Sequence, residues 1–111
     1  MSQDPVDMSV LNELRSIMGD EFQMLLDVFI SDSEQRIEMI AEAIANNDAE
    51  ALRGAAHSFK GSSLNISAIH LTDLCRELEF MGRDKQLEKA GEVFTETKRE
   101  FANVREFLSA L

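Results

Sequence analysis

A chain of 111 residues suits one domain, able to bury about two-thirds of its unfolded surface. Hydrophobic residues at 44% and charged residues at 29% make a globular composition, and a formal net charge of −10 argues against binding phosphate backbones or anionic lipid. The lone cysteine, Cys75, excludes an internal disulfide framework and fits a reducing compartment.

Five glycines, one proline and abundant Leu, Ala, Glu and Met favour helix throughout. Residues 1–7 read as a loose leader with neither the basic nor the apolar region of a signal peptide. No apolar run approaches the roughly 18 residues of a membrane span, so a cytoplasmic protein is expected. A short helix is expected from about Met8 to Met18, with Leu11, Leu14 and Met18 on one face and Gly19 as its breaker. Asp20 then stands where a cap would, with Gln23 in capping-box register. The second helix carries Phe22, Leu26, Phe29, Ser33, Ile37, Ile40 and Ile44 in steps of three and four, until Asn46-Asn47-Asp48 ends it.

Asn47 is the expected cap of the third helix, with Glu50 at its third position. Its stripe is Leu52, Ala56, Phe59, Ser63 and Ile66. A turn at Asn65-Ile66-Ser67 leads to a fourth helix with Leu71, Leu74, Cys75 and Leu78 inward, and Met81-Gly82-Arg83-Asp84 reads as the next turn. The last helix keeps Leu87, Ala90, Phe94, Thr97, Phe101, Val104, Leu108 and Leu111 in register. Four amphipathic helices with short connections predict an all-α, antiparallel up-down four-helix bundle, a single domain over 8–111. The short first helix is expected to cover one end. Met18, Met24 and Met39 read as core fillers, Cys75 as a core thiol, and His70 as structural or surface.

The third helix carries the anomaly. With its stripe inward, His57 falls about 140° away, Gly61 about 180°, Leu64 about 120° and Lys60 about 80°. A mid-helix glycine costs up to about 1 kcal/mol against alanine. An outward leucine adds nothing to folding. Together they describe a reachable imidazole with open space beside it, an apolar landing, and a cation one turn on. Neutral imidazole is a good nucleophile near neutral pH, and transfer of an anionic group to the ring would use the Lys60 charge.

The stretch AHSFKGSSLNISAIHLTDLCRELE resembles the signature of histidine-containing phosphotransfer (HPt) domains, roughly A-H-x-x-K-G-[SA] followed by a Leu-rich helix with an acidic or amide residue. Ala56, His57, Lys60, Gly61 and Ser62 match it. Ser67 departs from it, standing where the family often has Gly. The resemblance implies that His57 is phosphorylated, that Lys60 assists the phosphoryl group, and that Gly61 keeps the approach open. It also implies that Glu79, on the fourth helix, bonds the other ring nitrogen. Such a carboxylate would hold the proton on Nδ1 and leave Nε2 as nucleophile. Read from the residues alone, the alternative for Glu79 is a solvated helix glutamate.

Ser62 lies nearer the helix edge and could lend the phosphoryl group weak support. Ser63, on the buried stripe, more naturally relieves crowding. Arg53, Gly61, Ser62 and Leu64 are the expected docking surface. The implied function is a stand-alone relay between receiver-domain aspartates in a bacterial two-component system. Its partners would be response-regulator receiver domains and hybrid sensor histidine kinases. The protein would be a monomer with no cofactor of its own, the receiver supplying Mg²⁺. No Gly-rich phosphate loop or Walker lysine is present, so it is not expected to be an enzyme with a nucleotide site. The rival is a helical adaptor that docks a partner on the same face and carries no phosphate.

Overall fold

The structure, a computed structural model, describes residues 4–111. Five α-helices follow in order: α1 (Met8–Met18), α2 (Phe22–Ala45), α3 (Ala49–Asn65), α4 (Ile69–Asp84) and α5 (Ala90–Ser109). α2 packs on α3, α3 on α4, α4 on α5, and α5 closes back on α2, so four helices surround one core. The stripes explain why. Leu52, Ala56, Phe59 and Ser63 of α3, Ile66 just past its end, and Leu71, Leu74, Cys75 and Leu78 of α4 are all buried. Phe29, Phe59 and Phe101 meet at the centre, with ring centroids 6.3 Å apart for Phe29–Phe101 and 6.2 Å for Phe59–Phe101. Tilted and edge-on pairs at this spacing are favourable arrangements for aromatic rings.

The expected loose leader is anchored where it is described. Val6 is buried, and the Asp7 amide donates to the Ser67 carbonyl at 3.0 Å. Asp7 also caps α1, accepting from the Ser9 amide. Met1 to Gln3 lie outside the described residues. α1 sets Leu11 into the core.

Several expected boundaries shift, for identifiable reasons. Asp20 does not cap α2. Gly19, at φ 57°, opens a single 3₁₀ turn that runs straight into α2, so the residue before the helix is already helical and cannot swing a side chain back to the first amides. Gln23 instead donates to Asp27. Asp48, not Asn47, caps α3, accepting from the Ala51 amide at 3.1 Å. Asn47 serves the preceding helix instead. At φ 52° it closes α2, with bonds from the Asn47 amide to the Ile44 carbonyl and from the Asp48 amide to the Ala43 carbonyl. This is a Schellman ending. The same pair of bonds closes α3 around Ser67 (φ 58°) and α4 around Lys85 (φ 57°). Ser67 therefore holds the left-handed conformation that glycine adopts without strain.

α4 runs on through Gly82 to Asp84, past the expected turn, and α5 begins only at Ala90, so Leu87 lies in the connection. Of the methionines expected as core fillers, Met18 packs against the core, while Met24 and Met39 do not. Met24 and Met39 are at least half exposed, because each points away from the Phe22–Leu26–Phe29–Ile40 stripe, and Met18 is only half-buried. Leu111 is also exposed.

Candidate functional site

α3 buries Ala55, Ala56 and Phe59, and that choice of inward face turns His57 outward: its side chain is 65% exposed. The ring is nevertheless held. Its Nδ1 lies 2.9 Å from Oε2 of Glu79 on α4. The second carboxylate oxygen, Oε1, is shut off from solvent and lies 2.7 Å from the Lys60 ammonium, an ion pair that compensates its burial. One carboxylate thus bridges two residues that are neighbours by one turn of α3. The antiparallel packing of α3 on α4 brings together what is 22 positions apart in sequence.

The electrostatics fix the proton. Burial pushes the Glu79 carboxyl up, but hydrogen bonds and charge from Lys60 and His57 outweigh it and hold it below the ordinary glutamate value. Glu79 is therefore ionised near neutral pH and can only accept, so Nδ1 carries the proton and Nε2 keeps its lone pair. The arrangement is an exposed imidazole, held at Nδ1, with an ammonium one turn away on the same helix.

Two glycines flank the ring on the exposed face of α3, Gly54 three residues before and Gly61 four after. A Cβ at either would meet nothing within 4 Å. Leu64, 54% exposed, lies a turn beyond Gly61. Arg53 is half-buried and paired with Glu50. Ser62 is half-buried, and its hydroxyl donates to the Phe59 carbonyl of its own helix. Ser63 is buried on the stripe.

Sequence reasoning passed over Gly54 and Arg36, and left Phe80 open between covering the end of the bundle and joining a partner surface. Gly54 matches Gly61 and was legible as a second exposed glycine on the same face. Arg36 of α2 donates to the Ser58 hydroxyl at 2.9 Å, tying α2 to the residue after His57. Phe80, 41% exposed, carries the Arg83 guanidinium 4.3 Å from its ring centroid, next in sequence to Glu79.

Comparison with known proteins points the same way. The Hpt domain family matches residues 24–107. The crystal structure of histidine-containing phosphotransfer protein B (HptB) from Pseudomonas aeruginosa PAO1 is similar to the chain at 42% identity and a TM-score of 0.93, over 98% of this chain and 96% of that one. A comparison with curated proteins finds no match.

Proposed function

The chain belongs to the Hpt domain family, the histidine phosphoryl carriers of two-component phosphorelays, and from that premise we propose that His57 is the residue that carries the phosphoryl group. The observation that carries this is the His57–Glu79 contact at 2.9 Å on a ring two-thirds open to solvent. The Nε2 lone pair attacks the phosphorus of a phosphoaspartate. The new N–P bond forms as the acyl O–P bond breaks, and the aspartate leaves as a carboxylate. The ring gains positive charge, and the Glu79 carboxylate on Nδ1–H stabilises it. Return to a second receiver's aspartate is the same step reversed.

Receiver domains of response regulators and of hybrid sensor kinases are the partners this reading names. They would dock on the exposed face of α3, with His57, Gly54, Gly61 and Leu64 at the centre and Arg53 at the edge. The edge of α2 marked by Arg36 extends that surface: Met39, three residues on, and Val28, two turns back, are each 50% exposed. An apolar patch with a charged rim suits a brief encounter of modest affinity. Mg²⁺ and most of the charge stabilisation would come from the receiver. The protein acts as a carrier in this scheme and needs no nucleotide site. No helix among the described residues is long and apolar enough to cross a membrane, which is consistent with a cytoplasmic relay.

The test is transfer from a receiver domain already phosphorylated on aspartate, to the protein and to His57→Gln in parallel. Acid-labile, base-stable label on the parent alone is expected. Label retained on His57→Gln would remove His57 from the scheme, and no label from several receivers would leave the adaptor as the surviving account.

A further inference from the structure

Glu79 on α4 bridges His57 and Lys60 on α3, so the bridge depends on how far apart the two helices run at the site. Gly82 lies three residues beyond Glu79 on α4 and is buried. A Cβ there would stand 2.7 Å from the Ala49 carbonyl oxygen, 2.7 Å from the Arg53 nitrogen and 2.9 Å from the Arg53 Cα. All three are backbone atoms of α3, so no side chain can turn aside to make room. Gly54, Gly61 and Gly91 have nothing within 4 Å of the corresponding point. Glycine is a poor residue inside a helix, and at 82 the compensation is backbone-to-backbone contact between α3 and α4. Arg53, the contact point on α3, is one turn before His57. This backbone-to-backbone contact is therefore one turn from the His57–Glu79 bond on both helices.

We propose that Gly82 is a positioning residue of the phosphoryl site: by letting the α4 backbone touch the α3 backbone at Ala49 and Arg53, it places the Glu79 carboxylate where it can bond His57 Nδ1 and Lys60 Nζ at once. This deepens the phosphohistidine reading and rests on it for its consequence in transfer. Ordinary contact begins at 3.4 Å, so a methyl at 82 forces the helices apart by about 0.7 Å, the difference from 2.7 Å. Applied one turn away, that takes Nδ1···Oε2 from 2.9 Å to about 3.6 Å, which is no longer a hydrogen bond. The Glu79 side chain, 14% exposed and held on both oxygens, has little room to follow. Once Nδ1 loses its acceptor, nothing holds the proton there, and part of the population carries it on Nε2, where the ring cannot attack.

The experiment reads the ring directly. Long-range ¹⁵N–¹H NMR of the unphosphorylated protein, above the histidine titration range, reports the tautomer of each of the two histidines. The parent is expected to show Nδ1–H at His57. Gly82→Ala should show a mixture at His57 and an unchanged His70. Cys75→Ala, a core truncation on the same helix, should leave both unchanged, which separates spacing from mere loss of stability. Transfer from a phosphorylated receiver should fall by about ten- to a hundredfold in Gly82→Ala, and the Gly82→Ala/Glu79→Ala double variant should be no slower than Glu79→Ala alone.

A folded Gly82→Ala with the parent tautomer, or a double variant whose losses multiply, overturns the proposal. Should Gly82→Ala fail to fold, Glu79→Asp tests the same spacing without a clash, since it shortens the arm by one methylene: loss of the Nδ1–H tautomer supports the proposal and its retention overturns it. Because the tautomer is read without phosphate, a shifted tautomer in a protein that no receiver labels would uphold the role of Gly82 in spacing and refute the phosphohistidine reading instead.

Discussion

Replacing Gly61 should make the protein more stable and less able to transfer. The residue lies inside α3 with open space where a Cβ would go. Alanine there removes a helix penalty of about 0.8 kcal/mol, part of it by restricting the unfolded chain. For a domain near this size, that raises the melting temperature by about 3–6 °C. Arginine is also a good helix former, so Gly61→Arg should keep most of the gain. Its side chain, however, would project beside His57, one turn away on the same face. Holding the reacting atoms about 1 Å too far apart costs on the order of 10²-fold, or about 2.7 kcal/mol of barrier. Thermal melts by far-UV circular dichroism, with transfer from a phosphorylated receiver, measure both effects. Gly91→Ala, at an equally open glycine on α5, is the control that leaves transfer untouched. A Gly61→Ala protein that melts lower, or a Gly61→Arg protein that transfers at the parent rate, would refute the assignment of this face.

Further outcomes follow from the charge and the core. The folded Glu79 carboxyl sits below its ordinary value, so its contribution to stability is present above the unfolded value of about 4.3 and is lost as pH falls through the lower, folded value. The difference in urea midpoint between the parent and Glu79→Gln should therefore narrow from neutral pH to about pH 3. A difference that stays constant would mean Glu79 is not held as an ion. The Ser33 hydroxyl is buried with no hydrogen-bond partner among the described residues. Ser33→Ala should accordingly be neutral or stabilising by up to about 1 kcal/mol in urea unfolding, and a clear loss would point to a partner for that hydroxyl. Burial pushes the Cys75 thiol up to about 12, so it should resist iodoacetamide in the native protein and react on unfolding. Rapid native labelling would show that α4 opens.

The stripes were readable because three- and four-residue steps leave few choices of inward face. Phe59 and His57 follow from the same wheel: burying one exposes the other. Glu79 was reachable only through the family resemblance, because the distance that matters runs between helices and no periodicity within α4 encodes it. Helix ends were the weak point. Three helices close on Asn47, Ser67 and Lys85 in the left-handed region, where glycine would have marked the end plainly. Gly82 misled in the opposite sense. It reads as a turn, whereas its missing side chain serves contact between two helices, and only the position of the α3 backbone reveals that. Met24 and Met39 misled because apolar character alone does not separate a core position from an exposed one.

The most direct test of the central claim is the position of the phosphoryl group on the ring. Protein with ¹⁵N-labelled histidine, phosphorylated by a receiver and examined by ¹⁵N and ³¹P NMR, should show phosphorus bonded to Nε2 of His57, with the proton still on Nδ1. Phosphorus on Nδ1 of His57, or on His70, would contradict the geometry from which the mechanism is derived.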